Sequence, residues 1–406
     1  MFKRVLIANR GEIAVRIIRA CQEMGIETVA VYSDEDADAM HVRLADYSYN
    51  IGPADASESY LNIDALMEAA ERTEADAVHP GYGFLSEDAD FAEMVTKAGM
   101  TWIGPWADTI RKVGDKDEAR AAMIPSGIPM SKGSTPLTSV EDAVEQAKDV
   151  GYPIILKPVA GGGGKGMLIA NSEDDLRNIL TIIDINKVKY YFEHYIEHSR
   201  HIEVQIVADN YGHVIHLGER ECSLQRRNQK LLEESPSIAL TPDRRAEVGA
   251  LAIKAAKSVH YNNIGTVEFL LDLKTNQFNF MEINPRIQVE HGVTEAVTGI
   301  DLVRTQIRIA AGESLDLQQE DVKFTGHAIE CRINAEDPDN NFMPSPGKID
   351  FFLEPGGPRV RVDSGVCAGL SISPYYDSLI AKIVVRGRTR GDAIKIMRRA
   401  LNEFKV

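Results

Sequence analysis

The sequence predicts a multidomain protein of mixed α/β and α+β class, with an N-terminal parallel sheet, a hinge into a smaller unit and a strand-turn-strand segment in the C-terminal half. Three observations support this. Residues 1–103 alternate strand-like and helix-like segments, 126–138 are rich in Pro, Gly and Ser, and 265–284 predict two strands joined by a turn. At 406 residues the chain is also too long for one compact unit, so two or three domains are expected.

The N-terminal segment predicts a β-α-β unit that recurs, and hence an open, largely parallel sheet. The first turn, residues 9–12, reads NRGE. A dinucleotide-binding turn needs three glycines where this turn has one, so we do not expect a nicotinamide cofactor. The predicted elements are strands at 4–8, 27–32, 77–79 and 102–103, and helices at 12–24, 64–74 and 91–98.

A glycine-rich turn joins strands predicted at 153–157 and 167–170, after a helix predicted at 139–150. Four consecutive glycines let backbone amides approach an anion and let the turn move. The turn is not a P-loop, because no Lys-Ser or Lys-Thr pair ends it. A flap over phosphates and a flexible hairpin both remain open, and Lys157 just before the turn favours the flap.

The segment 281–291, MEINPRIQVEH, has a polar residue at every second position. An extended chain would direct all of these side chains to one side. Carboxylates, amides and a guanidinium can ligate a hard cation and bind a small anion. We therefore predict the wall of an active site, the alternative being an amphipathic edge strand. The polar residues are Glu282, Asn284, Arg286, Gln288 and Glu290.

The preceding strand carries Glu268, which a tight turn could bring opposite Glu282. A connection centred on Thr275 would pair the two on one face, whereas a connection one residue shorter or longer would separate them. Paired carboxylates repel unless a cation lies between them, and Mg²⁺ commonly takes one or two carboxylates together with substrate phosphates. The prediction of a metal site thus depends on whether this connection has an odd or an even number of residues.

Two further clusters are less specific. His194, His198 and His201 lack the Glu directly after the first His that a zinc protease helix needs, so surface or hinge histidines are expected. The segment 219–230 gathers positive charge inside an acidic protein. That segment is either a solvated basic run or a local anion site.

Composition excludes several classes of function. A net charge of −16 repels a phosphate backbone, so no nucleic acid partner is expected. No apolar run is long enough for a membrane span or a secretory signal, which predicts a cytoplasmic protein without a membrane partner. The four cysteines form no C-x-x-C pair, which indicates reduced thiols in the core rather than a zinc ribbon or disulfides.

Taken together, these segments resemble the biotin carboxylases of the ATP-grasp superfamily, and the resemblance covers residues 1–406. The family implies an ATP-grasp fold with an N-terminal Rossmann-like parallel sheet, a small mobile lid and a C-terminal antiparallel-sheet domain. It also implies ATP-dependent carboxylation of biotin with bicarbonate, with ATP, Mg²⁺ or Mn²⁺ and carrier-bound biotin as cofactors. The matching segments are IANRGEIAVRIIRA at the start, HPGYGFLSE at 79–87, AGGGGKGM at 160–167, HIEVQI from 201, GTVEFL from 265, MEINPRIQVEH at 281–291, GHAIECRINAEDP from 326 and PYYDSLIAK from 374.

The resemblance also implies roles for individual residues. Glu268, Glu282 and Asn284 would hold the metal, and Glu290 would be the base that deprotonates bicarbonate. Nucleotide contacts are implied for Lys116, Lys157, Gly161, Gly162, Gly163, Gly164, Glu193, Ile196, His201, Gln225 and Asn228. Bicarbonate and biotin contacts are implied for Tyr82, Lys230, Arg286, Gln288, the Val289 backbone, Glu290 and Arg332, of which Glu290, Arg286, Lys230 and Arg332 would be catalytic.

The implied domains are an N-terminal Rossmann-like domain at 1–114, a helical linker at 115–130, a lid at 131–204 and a C-terminal domain at 205–406, whose last part we expect to be missing. The implied partners are a biotin carboxyl carrier protein or domain, a carboxyltransferase subunit and a second copy of the chain. Another ATP-grasp ligase and a non-catalytic regulatory homologue are the alternatives.

Overall fold

The computed structural model describes residues 1–159, 166–185 and 187–406. The predicted phosphate flap, Gly161 to Gly164, therefore lies outside the described residues.

In the N-terminal part, five parallel strands are ordered β3-β2-β1-β4-β5, with helices between them. The strands are β1 (Arg4–Ile7), β2 (Glu27–Tyr32), β3 (Tyr47–Asn50), β4 (Ala77–His79) and β5 (Thr101–Trp102), and the helices are α1 (Gly11–Glu23), α2 (Met40–Leu44), α3 (Ile63–Arg72), α4 (Ala89–Lys97) and α5 (Ala107–Gly114).

The predicted parallel sheet is confirmed, and its central strands are apolar because helices cover both faces. β1 and β2 are almost entirely buried, and α1 buries most of its length between this sheet and the C-terminal part. The edge strand β3 and the short helix α2 were not predicted. The polar, exposed sequence of β3 lacks the periodicity that identifies a strand.

A linker helix, α6 (Lys116–Met123), leads to a small three-stranded antiparallel sheet ordered β7-β6-β8. This sheet packs on two helices and has its own apolar core, with Leu156 and Phe192 fully buried. It is the predicted lid. Its elements are α7 (Val140–Val150), β6 (Ile154–Pro158), β7 (Leu168–Ala170), α8 (Glu173–Ile182) and β8 (Tyr190–His194).

The C-terminal part is built on an eight-stranded antiparallel sheet, ordered β13-β12-β9-β10-β11-β14-β20-β18. Its strands are β9 (Ser199–Ala208), β10 (Val214–Arg226), β11 (Gln229–Ser235), β12 (Asn263–Asp272), β13 (Phe278–Asn284), β14 (His327–Asn334), β18 (Val360–Ser364) and β20 (Leu379–Gly387). Two small ladders pair β15 (Glu336–Asp337) with β16 (Met343–Pro344) and β17 (Gly347–Lys348) with β19 (Ser371–Ile372). The helices are α9 (Pro242–Ser258), α10 (His291–Thr298), α11 (Leu302–Ala310) and α12 (Arg390–Glu403).

The β12–β13 hairpin reaches the predicted pairing by a route that the sequence did not reveal. Near its turn the register pairs Leu271 with Phe278. If this register continued, the side chains of Glu268 and Glu282 would point to opposite faces of the sheet. A β-bulge between the Phe269 and Glu268 pairs then shifts the register by one residue, so that Glu268 lies opposite Glu282. A bulge adds one residue to one strand only, so beyond it the side chains of that strand change faces relative to those of the partner strand.

The prediction that 281–291 is extended throughout is wrong. β13 ends at Asn284, residues 285–290 form an irregular connection, and α10 begins at His291. Pro285 cannot donate a ladder hydrogen bond, which favours the end of the strand at this position. The predicted domain limits remain predictions. The limit between 204 and 205 falls inside β9, a strand of the large sheet.

Close packing of β12 predicts a stability effect at Gly265. A Cβ at this position would overlap the ring and hydroxyl group of Tyr261. We expect Gly265→Ala to lower the free energy of unfolding by about 1–3 kcal/mol, because overpacking displaces neighbouring groups. Chemical denaturation would measure it. Gly114→Ala at the end of α5, where a Cβ meets nothing within 4 Å, is the control and should not destabilise the protein. Equal effects of the two substitutions would contradict the prediction.

Candidate functional site

A row of charged side chains crosses one face of the large sheet. Glu282, Glu268 and Glu203 are direct cross-strand neighbours on β13, β12 and β9, and Arg220 of β10 lies opposite Glu203. Like charges directly opposite one another destabilise a sheet unless they are compensated. The site is organised around the cations that compensate this row.

The Lys230 ammonium group is the centre of the cluster. It donates to Glu203 Oε2 at 2.5 Å, to Glu290 Oε1 at 2.8 Å and to Glu268 Oε1 at 3.0 Å. Burial alone would lower the pKa of Lys230, but these three carboxylates raise it well above its ordinary value. Lys230 therefore remains charged and uses all three of its donors.

The fully buried Glu290 carboxylate lies between two cations. One oxygen accepts from Lys230, and the other accepts from Arg332 Nη2 at 2.9 Å. Burial would raise the pKa of Glu290, but Lys230, Arg332 and Arg220 lower it well below its ordinary value. Glu290 is therefore an ionised carboxylate held in one orientation by charge-assisted hydrogen bonds.

Arg220 supports this arrangement from beneath. Its fully buried guanidinium is paired with Glu203 and donates to Gln205 Oε1 at 2.7 Å and to Thr294 Oγ1 at 2.9 Å. Of the two interpretations of 219–230, a solvated basic run is therefore wrong for Arg220. Arg220 was not predicted as a site residue, because one arginine within a basic run does not reveal a buried position.

The predicted metal residues lie together. Glu268 accepts from His201 Nε2 at 2.7 Å and from Asn284 Nδ2 at 2.9 Å, while Glu282 lies beside it at the open edge of the sheet. Among residues 1–159, 166–185 and 187–406, the Glu282 carboxylate makes no hydrogen bond or ion pair. Two adjacent carboxylates and an amide oxygen are a donor set that fits a hard cation such as Mg²⁺ or Mn²⁺.

The connection after β13 carries the predicted anion-binding groups. Arg286 pairs with Glu87 at 3.0 Å and donates to Gln288 Oε1 at 2.8 Å. The buried Gln288 Nε2 has no partner within the described part of the chain. Because buried donors are normally satisfied, this free amide points to a missing acceptor. The neighbouring Val289 is half-buried.

The predicted nucleotide residues are distributed between the lid and the large sheet. Lys157 and Arg120 donate to the two oxygens of Glu193 at 2.6 Å and 2.7 Å, and so join β6 and α6 to β8. The Lys116 ammonium lies 5.9 Å from the centre of the Tyr191 ring. Arg120 was not predicted, because its role depends on a contact 73 residues away along the chain.

The remaining nucleotide residues lie near His201. Gln225 Nε2 donates to His201 Nδ1 at 2.9 Å, and Ile196 is half-buried in the connection between β8 and β9. Asn228 lies in the two-residue turn between β10 and β11, where both turn residues have positive φ. Asparagine tolerates this conformation better than most residues, which explains its presence at a tight hairpin turn.

Tyr82 belongs to a buried network that was not predicted. Its hydroxyl group donates to Glu12, which also lies 3.2 Å from the Lys382 ammonium, and Lys382 donates to the Val289 carbonyl oxygen at 2.6 Å. A signal for Lys382 did exist, since it is the single charge within the apolar strand sequence LIAKIVV. A charge in such a run is buried and requires partners.

A second pair of carboxyl groups lies beside Arg332. Glu233 and Glu330 are direct cross-strand neighbours, both fully buried. Glu233 accepts from Arg332 Nε at 2.8 Å, and its burial raises its pKa to about 7. The oxygens of Glu330 have no partner within the described residues, and its burial raises its pKa well above the ordinary value. Burial without a hydrogen-bond partner thus favours the protonated form of Glu330.

The predicted character of the four cysteines is partly confirmed. Cys21 and Cys222 are buried, Cys331 and Cys367 are half-buried, and all four are free thiols. Among the described residues, the chain has no helix long and apolar enough to cross a membrane.

Comparison with known families divides the chain into three matched regions. Residues 1–110 match the biotin carboxylase N-terminal domain, residues 115–318 match the ATP-binding domain of the carbamoyl-phosphate synthase L chain, and residues 330–406 match the biotin carboxylase C-terminal domain. Biotin carboxylase 1 of Bacillus subtilis is 55% identical over all of this chain and 92% of its own length. The 2-oxoglutarate carboxylase small subunit of Hydrogenobacter thermophilus is 49% identical over all of this chain and 87% of its own length.

Solved structures agree with this assignment. The biotin carboxylase domain dimer of Hydrogenobacter thermophilus 2-oxoglutarate carboxylase, in complex with MgADP, ADP and bicarbonate, superposes with a TM-score of 0.95 at 48% identity. The match covers all of this chain and 90% of that one. Campylobacter jejuni biotin carboxylase also gives a TM-score of 0.95, at 47% identity, over all of this chain and 92% of that one. The predicted ATP-grasp fold is thereby confirmed.

The raised pKa of Glu330 predicts an unusual pH dependence of stability. Because its pKa is higher in the folded than in the unfolded chain, stability falls as pH rises above the ordinary carboxyl pKa. We expect Glu330→Gln to remove this penalty and to raise the free energy of unfolding by about 1 kcal/mol at about pH 8, with little change at about pH 4. Denaturant titrations across this pH range would measure it.

Glu203→Gln is the control for this prediction. Glu203 is equally buried but paired with Arg220 and Lys230, so its substitution should destabilise the protein by about 3–5 kcal/mol. A Glu330→Gln variant that loses stability at every pH would show that Glu330 is ionised and paired in the folded protein.

Proposed function

The chain belongs to the biotin carboxylase family, and on this premise we propose that it carboxylates biotin with bicarbonate at the expense of one ATP. The observation that carries the proposal is the buried Glu290 carboxylate between Lys230 and Arg332, next to two carboxylates suited to Mg²⁺. This combination provides a base, cations for an anionic substrate and a metal site. It serves the first half-reaction of a biotin-dependent carboxylase.

Bicarbonate would bind against Arg286, Gln288, the Val289 backbone and Lys230. The unpartnered Gln288 Nε2 supports this location, since an anion would supply the acceptor that it lacks. In the structure Lys230 donates to three carboxylates, so bicarbonate would replace at least one of these carboxylates as its partner. Any weakening of the contact to Glu290 raises the pKa of Glu290 and makes it a stronger base.

Glu290 would then take the bicarbonate proton, and the resulting oxyanion would attack the γ-phosphorus of ATP with ADP as the leaving group. The product, carboxyphosphate, breaks down to CO₂ and phosphate. Phosphate can accept the N1 proton of biotin, and the developing enolate oxygen requires a cation such as Arg332 or Arg286. Tyr82 would flank the biotin ring.

Glu268 and Glu282, with Asn284 beside them, are the residues that would hold Mg²⁺ or Mn²⁺. The bound metal would neutralise phosphate charge during transfer. Lys116, Lys157 and the glycines at 161–164 would contact the phosphates, while Glu193, Ile196, His201, Gln225 and Asn228 would surround the adenine and ribose. The Lys157–Glu193 pair supports a role for the lid in which Lys157 exchanges this carboxylate for a phosphate.

We also propose the partners implied by this chemistry. Biotin would arrive on a carrier protein or domain and leave towards a carboxyltransferase subunit in the cytoplasm. A homodimer is proposed because the related structure from Hydrogenobacter thermophilus is a domain dimer. The acceptor of the second half-reaction remains open, as relatives include biotin carboxylases, a pyruvate carboxylase subunit and a 2-oxoglutarate carboxylase subunit.

Replacement of the proposed base tests the function directly. Mg²⁺-dependent ADP release would be measured with ATP and bicarbonate, with and without free biotin. We expect biotin to stimulate the wild type and Glu290→Gln to lose about 10²–10⁴-fold in rate, because the substitution removes proton transfer. Glu403→Gln on the exposed part of α12 is the control.

Two results would contradict this proposal. Bicarbonate-dependent ATP cleavage that is indifferent to biotin would indicate an ATP-grasp ligase with another acceptor. A folded chain without turnover would indicate a regulatory homologue.

Metal dependence tests the proposed carboxylate pair. We expect Glu282→Gln to raise the Mg²⁺ concentration needed for half-maximal ATP cleavage by about tenfold or more, because one charged ligand is lost. Activity titrated against Mg²⁺ at fixed ATP would measure it. Glu247→Gln, on the exposed face of α9, should leave the Mg²⁺ requirement unchanged. An unchanged requirement in Glu282→Gln would remove Glu282 from the metal site.

A further inference from the structure

Lys382 is a buried cation that the proposed reaction does not use. It lies on β20, two strands away from β11, and its side chain has no exposed surface. Burial alone would lower the pKa of Lys382, but the carboxylates of Glu12, Glu330 and Asp363 outweigh burial and raise it. A charged amine in such a position is costly unless it is paired and hydrogen-bonded, so the partners of Lys382 hold it in a defined place.

The Lys382 ammonium reaches the connection that carries the proposed bicarbonate groups. It donates to the Val289 carbonyl oxygen at 2.6 Å and lies 3.2 Å from Glu12 Oε1. Glu12 in turn accepts from the Tyr82 hydroxyl group. One buried ion pair thus contacts both Val289, on the proposed bicarbonate side, and Tyr82, on the proposed biotin side.

Contacts to two neighbouring peptide groups orient the backbone N–H groups of Val289 and Glu290. The Gln288 carbonyl accepts from the ring of His291 at 2.7 Å, and the Val289 carbonyl accepts from Lys382. Because each peptide group is planar, fixing these two carbonyl groups fixes the planes on both sides of Val289. The Gln288 carbonyl contact thereby fixes the direction of the Val289 N–H, and the Val289 carbonyl contact fixes that of the Glu290 N–H, although no regular secondary structure holds residues 285–290.

We propose that Lys382, held by Glu12, is a positioning residue that aims the Glu290 backbone N–H and the start of α10 at bicarbonate. This inference rests on the proposed function. Lys382 touches no reacting atom itself. It acts by preventing rotation of the 289–290 peptide, and so preserves a preorganised donor for an anion.

Lys382→Met tests the inference, with Arg386→Met as the matched control. Arg386 lies on the same strand and also donates to a backbone carbonyl, that of Ala296 in α10 at 3.1 Å, but away from the site. We expect Lys382→Met to raise the KM for bicarbonate by about tenfold or more, with the KM for ATP within about twofold of the wild type. Arg386→Met should leave both values within about twofold.

Hydrogen exchange of a peptide covering residues 285–293 gives a readout that needs no turnover. It should quicken in Lys382→Met and remain unchanged in Arg386→Met, because only the former frees the 289–290 peptide. Wild-type KM values together with wild-type exchange in Lys382→Met would overturn the proposal. If the wild type itself lacks bicarbonate-dependent ATP cleavage, the proposed function fails, while the exchange comparison still decides the positioning.

Glu12→Gln is the second variant, and it decides the question if Lys382→Met does not fold. The substitution keeps the shape of the side chain but removes the charge that faces Lys382. A raised KM for bicarbonate with cooperative unfolding supports the proposal. An unchanged KM for bicarbonate overturns it.

Discussion

Repulsion between Glu203, Glu268 and Glu282, side by side on three neighbouring strands, is the constraint on which the rest of the site depends. The burial of Glu203 and Glu268 raises the cost of this repulsion, because few water molecules screen it. Lys230 and Arg220 compensate the inner end of the row, and the outer end has the donor set for a hard cation. The fold is stable with these carboxylates because the cations occupy defined positions among them.

The same compensation prepares the site for its chemistry. Each cation that neutralises a carboxylate here is also a group that a phosphate or bicarbonate ion could attract. Lys230 holds Glu290 in the absence of substrate, and Lys157 holds Glu193 in the lid. Substrate binding can therefore proceed by exchange of anionic partners, which avoids leaving a buried charge unpaired at any stage.

Much of the secondary structure could be predicted, because the N-terminal strands are apolar runs and the helices have clear boundaries. Ser139, for example, caps α7 at its predicted start. The predicted pairing of Glu268 with Glu282 was correct, although the turn alone would have prevented it. A β-bulge has no reliable sequence pattern, and neither does the end of β13 before Pro285 within an otherwise regular alternation.

The sequence by itself determined the residue types of the site and the order of the elements that carry them, since both are local properties of strands, turns and motifs. Only the tertiary structure decided which charges face each other. Glu12, Lys382 and Val289 are far apart along the chain, and their contact depends on how α1 packs against β20. Local periodicity reveals which side of an element is buried, but not which distant group completes a buried ion pair.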